Sequence, residues 1–367
     1  MYKVLFLFNT TPLPRIIRRI NTLLGRYNIT LVFWERCLNH DFTPEIPEGC
    51  QVCPIMLKAP LGKPWSKLIP FLRFVVRCLG VIKTVRPDII HAANCDMLLA
   101  ARLYQLRYPG VSLVYEVADL PRGAVVKALE RLLMKRVDLL ILTSFYFYEE
   151  RYRYFYPESK VLVQRNLPPR GFFANFTGKK SAQPLTIGFI GSLRYFEQLV
   201  MLIDTAAAAA GIRLLIAGAG PDYERVHRYT LGRGYVEFYG PYNYQRDIAG
   251  LYGRVDCLYS VYDADLANVR IALPNRLYEA IACGLPLIVS RHTVLSQIVS
   301  EQGIGFVVGH QDKRELLELL VDLRDDRARL EDAAARCREL AKHYYSEDES
   351  LLIINAYKRL KGGFGDG

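Results

Sequence analysis

The chain of 367 residues is expected to fold as two α/β domains in tandem, each a doubly wound parallel sheet with helices on both faces. Three observations carry this. Short apolar runs alternate with helical segments from end to end, the pattern of parallel sheets built from βαβ units. Near the middle, NLPPRGFFANFTGKKSAQP (166–184) is rich in Pro, Gly and Lys and has no period, so it reads as a linker. The composition, 51% hydrophobic and 23% charged, supplies two cores of ordinary size.

In the first half the strand candidates are KVLFLF (3–8), ITLVFW (29–34), DIIHA (88–92), SLVYEV (112–117), DLLILT (138–143) and KVLVQ (160–164). Helices are expected near 14–25, where Pro14 suits a first turn, near 96–107 and near 122–136. The opening MYKVLFLFN is too short an apolar run for a secretory signal and reads as the first buried strand. In the second half the elements are TIGFIG (186–191), a helix from about Glu197 to Ala210, IRLLIAG (212–218), VEFYG (236–240), DCLYS (256–260) and LPLIVS (285–290). The tail from Ser346 to Lys361 reads as a helix.

The richest stretch is ALPNRLYEAIACGLPLIVS, Ala272 to Ser290. Pro274 suits a first helical turn and Asn275 is short enough to cap one, so a helix starts here with amide donors facing outward. Such an end attracts phosphate, and Arg276 adds a side chain that grips phosphate oxygens in a bidentate way. Glu279, one turn later on the same face, is placed to accept the hydroxyls of a ribose. Gly284 stops the helix before a buried strand. The competing possibility is an ordinary αβ unit with an incidental Glu.

The pattern P-x-[KR]-x-x-E-A-x-A-x-G-x-P resembles the donor-binding signature of GT-B glycosyltransferases, in particular glycosyltransferase family 4, the group 1 glycosyltransferases. The resemblance implies the GT-B architecture: two Rossmann-like domains facing a central cleft. An acceptor-binding domain would span 1–167, a linker 168–184 and a donor-binding domain 185–345, with the helix at about 346–361 crossing back onto the first domain. It also implies that Glu279 holds the ribose and that Pro274, Asn275 and Arg276 hold the diphosphate of a nucleotide sugar. GFIGSLRYFEQL resembles the family's glycine turn, with Gly191 close to phosphate. The family's usual cations are replaced there by Ser192 and Glu197, which leaves Arg194 as the available cation. AGAGP, with Gly218, resembles the next strand end, and FYGPY resembles the loop under the base. Tyr239 and Tyr242 can stack on a base or serve as core tyrosines. The carboxylate the family often places near the transferred sugar is Ile271 here.

In the first half, DIIHAANCDMLLAA and YEVADLPRG resemble the family's loops at strand carboxyl ends, where His91, Asp96, Glu116 and Asp119 are the polar groups in reach. If configuration is inverted, a carboxylate must deprotonate the acceptor hydroxyl, and Asp119 or Glu116 is expected to do so. His91 either takes part in chemistry or braces a strand end. Ala118 stands where many relatives have His.

Charge is uneven. Residues 1–183 carry 27 Lys and Arg against 13 Asp and Glu, a balance of +14, and residues 184–367 carry 21 against 24, a balance of −3. SKLIPFLRFVVRCLGVIK (66–83) is too charged for a span, which needs about 20 apolar residues, and is either a basic amphipathic helix at an anionic membrane or a packed helix with its basic side in water. The aromatic–basic run FYFYEERYRYFYP (145–157) is a candidate extension of that surface. No nucleic-acid motif accompanies the charge. Among the eight cysteines and six histidines the one close pair, Cys50-x-x-Cys53, has no second Cys or His pair at metal-ligand spacing, so neither metal nor cofactor is expected, with a nucleotide sugar as co-substrate.

The expected function is therefore transfer of a sugar from a nucleotide diphosphate, a UDP-sugar first, to a saccharide acceptor, lipid-linked at the inner face of the cell membrane, in surface polysaccharide synthesis. A nucleotide-sugar 2-epimerase on the same fold and a catalytically idle binding protein are the alternatives. A dinucleotide oxidoreductase is excluded, because neither glycine turn gives G-x-G-x-x-G with an acidic residue about 20 positions on.

Overall fold

The computed structural model describes residues 1–35, 46–58, 68–174, 176–178 and 184–362. The chain divides into two units, Met1–Arg165 with Glu349–Gly367, and Asn166–Asp348.

Unit 1 contains β1 (Lys3–Phe8), α1 (Pro14–Leu23), β2 (Asn28–Glu35), β3 (Gln51–Met56), α2 (Leu68–Val85), β4 (Ile89–Ala93), α3 (Cys95–Arg107), β5 (Ser112–Val117), α4 (Ala124–Leu133), β6 (Leu139–Leu142), α5 (Phe145–Glu150) and β7 (Val161–Val163). The strands are near-continuous apolar runs because both faces are covered by helices; β4 is buried at every position. They form one parallel sheet in the order β3-β2-β1-β4-β5-β6-β7. The sequence does not announce β3: it carries Pro54, which an edge strand tolerates, and most of its residues are exposed or half-buried.

Unit 2 contains β8 (Leu185–Ile190), α6 (Phe196–Ala208), β9 (Ile212–Ala217), α7 (Tyr223–Thr230), β10 (Val236–Gly240), α8 (Tyr244–Tyr252), β11 (Cys257–Ser260), α9 (Ala267–Ile271), α10 (Asn275–Cys283), β12 (Leu287–Ser290), α11 (Val294–Gln302), β13 (Gly305–Val308), α12 (Lys313–Asp325) and α13 (Ala328–Ala341). Its sheet has the order β10-β9-β8-β11-β12-β13, with one apolar core on each face. The segment expected to be a free linker differs from that expectation. Leu167 and Phe173 are buried in the core of unit 2, so the chain passes into that unit at Asn166; residues 179–183 of the linker lie outside the described residues.

The last helix, α14 (Ser346–Arg359), belongs to unit 1 from Glu349 onward. Ile353, Ala356 and Tyr357 pack with α1 and the β1 and β4 strands over one face of the sheet. Its anchor is Glu349, which accepts from the Arg165 amide (3.0 Å) and from its guanidinium (2.5 Å).

Candidate functional site

Unit 2 reverses its strand order between β8 and β11, and in open parallel sheets ligands bind beyond the strand carboxyl ends at such a point. Arg276 lies there. Nη1 donates to the Tyr259 carbonyl (2.6 Å) and the Ser260 hydroxyl (3.2 Å), and Nη2 donates to the Ile190 carbonyl (2.6 Å). The guanidinium sits 4.6 Å from the Phe189 ring centroid, and the residue is 6% exposed. Arg276, expected to grip phosphate, spends three N–H groups on strand-end acceptors, which need donors once the chain leaves the sheet.

The two glycines also serve packing before ligand approach. A Cβ on Gly218 (φ +146°) would overlap the Gly191 carbonyl, and one on Gly191 (φ +149°) would lie 2.5 Å from Nη2 of Arg276. Their amides are used as well, Gly191 donating to the Ala217 carbonyl (2.9 Å) and Gly218 to that of Gly240 (2.7 Å). Among the described residues the Ser192 and Arg194 amides have no acceptor, and the exposed Arg194 side chain lies 6.0 Å from the Tyr195 ring centroid. Tyr195 itself takes a left-handed conformation (φ +67°) at the start of α6, strained for an aromatic residue.

Helix α10 starts one residue earlier in role than expected. Pro274 is its N-cap and Asn275 its first helical residue, so Asn275 does not cap, and no side chain does. The Leu277 amide turns back to the Pro274 carbonyl (3.0 Å), while the Asn275 and Arg276 amides have no acceptor among the described residues. The helix closes at Gly284 in the left-handed region (φ +63°), as its sequence indicates.

Glu279 is buried, and each of its oxygens is tethered: Oε1 accepts from the Tyr244 hydroxyl (2.5 Å) and Oε2 from that of Tyr252 (2.6 Å). A carboxylate oxygen has two acceptor positions, so the tyrosines orient the group without exhausting it. Burial, and then the Glu279 charge, push the Tyr242 and Tyr252 hydroxyls well above the ordinary phenol range, so both stay protonated donors. Sequence reasoning missed Tyr244 and Tyr252; only the spacing Asn243 to Asp247, a capped helix start beside the base loop, hints at them.

In unit 1, the candidate acids and bases separate. Glu116 and His91 are fully buried, which corrects their assignment as groups in reach of a substrate. Glu116 lies against Arg15 Nε (3.2 Å), Arg19 Nε (3.7 Å) and His91 Nε2 (3.0 Å), and His91 Nδ1 is 2.5 Å from the Tyr357 hydroxyl on α14. Burial alone would raise the Glu116 carboxyl; Arg19, the hydrogen bond and charge of His91, and Arg15 outweigh it and hold the group at about 2. His91 thus braces the strand, stacked 4.5 Å from Phe6. Asp119, just beyond β5, is exposed. At the crossing point of β1 and β4, Asp96 accepts from Asn9 (2.6 Å), and Asn94 (φ +74°) donates to Asn9 (3.2 Å).

Residues 184–326 match the family model of the glycosyl transferases group 1. Unit 2 carries a group 1 glycosyl transferase domain. The chain is 28% identical to the succinoglycan biosynthesis protein ExoL of Rhizobium meliloti (strain 1021) over 268 residues, which cover 66% of this chain and 65% of that protein. The match therefore spans less than two thirds of the relative's length. Two solved structures share the fold over both units: Anabaena HepE in complex with UDP-glucose, at a TM-score of 0.77 with 16% identity over 98% of this chain and 100% of that one, and the sucrose-phosphate synthase of Thermosynechococcus elongatus, at 0.73 with 16% identity over 98% and 99%. These likenesses give the GT-B architecture.

Within the transferase domain, Tyr239 is 43% exposed on the edge strand β10, open for stacking and not part of the core. The loop after β11 and the end of β13 bring together a group that sequence spacing did not reveal. Asp263, Asp265 and His310 hold their ligand atoms within 4.8 Å of one another, with His310 Nε2 3.5 Å from Asp263 and 3.6 Å from Asp265. Among the described residues this is the one group with metal-ligand chemistry.

Proposed function

We propose that the chain is a glycosyltransferase that takes a sugar from a nucleoside diphosphate donor, a UDP-sugar, and delivers it to a saccharide acceptor in the synthesis of a surface polysaccharide. The observation that carries this is the set of amides without acceptors at Ser192, Arg194, Asn275 and Arg276, grouped around the crossing point of a group 1 domain together with the exposed Arg194. These donors suit a diphosphate, whose negative charge grows as the bond to the sugar breaks. Glu279, oriented by its two tyrosines, would accept from the ribose. The acceptor hydroxyl adds to the anomeric carbon, the bond to the diphosphate oxygen breaks, and the proton leaves to a carboxylate; Asp119 is the exposed candidate beyond β5. The succinoglycan relative and the UDP-glucose complex of HepE support the polysaccharide and the donor respectively.

Calorimetric titration with UDP, GDP, ADP and NAD tests the donor site. UDP is expected to bind at micromolar level with or without EDTA, since the diphosphate is held by amides and Arg194. Glu279→Ala is expected to weaken it by about 1–3 kcal/mol, the cost of hydrogen bonds to a charged group. Binding of none of the four at millimolar concentration would remove the proposal in favour of an idle binding protein.

The acceptor is proposed to be lipid-linked, with the protein peripheral on the inner face of the membrane. No described helix is long and apolar enough to cross one. The support is the outer side of the helix layer in which α3 packs between α2 and α4. Large apolar residues face water on all three helices: Ile69, Leu72 and Val76 (68% exposed), Leu103 and Leu106 (71%), and Val125 (82%), Leu129 and Leu132. Around them Arg73, Arg77, Lys83, Arg107, Lys127 and Arg131 are exposed. Apolar groups ringed by cations suit an anionic bilayer, each cation contributing about 1 kcal/mol near the surface. Of the expected 66–83 segment, Ser66 and Lys67 lie outside the described residues. Of the 145–157 run, Phe147, Tyr148, Tyr152 and Tyr156 are buried and Arg151 is spent on Glu130 (2.7 and 2.8 Å), while Phe145 and Tyr154 are exposed and the Phe155 ring centroid lies 5.2 Å from the Arg131 guanidinium. Vesicles with anionic lipid are expected to sediment the protein, and Val125→Asp with Leu132→Asp to release it. Equal recovery on neutral and anionic vesicles at low salt would rule out the electrostatic part.

A further inference from the structure

The structure assigns Arg276 the part of a positioning residue that holds the diphosphate-facing turn in register with α10, and not that of a phosphate ligand; this rests on the donor site proposed above. Its guanidinium bridges the two strands that flank the crossing point, donating to Ile190 at the end of β8 (2.6 Å) and to Tyr259 and Ser260 at the end of β11 (2.6 and 3.2 Å). The Phe189 ring lies against it, 4.6 Å from the guanidinium carbon, and it is 6% exposed. Gly191, the residue before the acceptor-less Ser192 amide, sits so close to Nη2 that a Cβ would be 2.5 Å away. The backbone of Arg276 meanwhile forms the start of α10, with its own amide lacking an acceptor among the described residues. One side chain therefore ties the helix that offers two amides to the turn that offers two others. Three of its five N–H groups are spent on these acceptors, and swinging the guanidinium out to a phosphate would strand two main-chain carbonyls.

A planar fork is needed for this. The guanidinium reaches acceptors on both strands at once, whereas a lysine ammonium is a single point that cannot span them. R276K thus keeps the charge and removes the bridge. Calorimetry of UDP and of uridine separates the roles. For a positioning residue, R276K loses UDP affinity by at least ~10-fold, about one hydrogen bond to a charged group, while uridine affinity is unchanged. UDP affinity retained within ~2-fold overturns the assignment, whether the thermal midpoint falls or not; a bidentate phosphate contact would also be weakened by lysine, so S260A, which leaves the guanidinium free to touch a phosphate, separates the two roles. If R276K does not fold, S260A decides: it deletes one acceptor and leaves the guanidinium in place. A selective fall in UDP affinity supports the positioning role, and unchanged affinity overturns it. A wild-type chain that binds uridine and UDP equally would instead remove the diphosphate site itself.

Discussion

Glu116→Ala is expected to destabilise unit 1 by about 3–5 kcal/mol, the usual cost of removing one partner of a buried ion pair. The carboxylate faces Arg15, Arg19 and His91 with no exposure of its own, and burial already lowers the Arg19 guanidinium. Without Glu116, two cations remain inside with little compensation. The effect reaches α14, because His91 joins Glu116 to Tyr357. Urea denaturation followed by near-ultraviolet circular dichroism measures the loss; a midpoint within error of wild type would exclude a stabilising role for the network. The same group predicts acid sensitivity. Its folded value, about 2, lies below its ordinary 4.5, so the folded state binds the proton less readily than the unfolded chain. The stabilisation is full above about pH 4.5 and is lost as pH falls toward 2, a contribution of about 3 kcal/mol. Glu116→Gln should flatten that part of the stability profile, and an unaltered profile would assign the acid loss to other carboxylates.

Gly218→Ala is the second large effect, here in unit 2. The position combines φ +146° with a Cβ that would overlap a main-chain oxygen of Gly191. Backbone strain costs about 1–3 kcal/mol, and forcing an atom into a packed site about 1–3 kcal/mol more. Neither the Gly191 turn nor β9 can shift without disturbing the Gly191 to Ala217 hydrogen bond, so UDP affinity should fall along with stability. Gly250→Ala is the control. That glycine lies in α8 with open space where a Cβ would go, and alanine there should stabilise by about 0.5–1 kcal/mol. Equal thermal midpoints for the two variants would refute the packing argument.

These two residues illustrate how unevenly the site was legible. That Gly218 must be glycine is visible in a strand-end AGAGP; that its neighbour is the Gly191 carbonyl is not. That Glu116 ends a strand is visible as well. A polar residue at a strand end reads as reachable, yet His91 and Glu116 turn toward the face covered by α1 and by Tyr357 of α14, a helix more than 200 residues away in sequence. The edge strand β3 escaped notice because exposure and Pro54 erase the apolar run that marks a buried strand.

The sequence by itself determined the tandem parallel α/β architecture, the glycine stop of α10, and the group 1 signature around Glu279, since these depend on local periodicity, on helix-end chemistry and on residue types at fixed short spacing. Only the tertiary structure decided what each polar group spends itself on. Arg276 bonds to residues 16, 17 and 86 positions away, and Glu279 to tyrosines 35 and 27 away. Those partners meet because strands distant in sequence end side by side at a crossing point, and burial there obliges every charge and carbonyl to find a partner among whatever the fold has brought near.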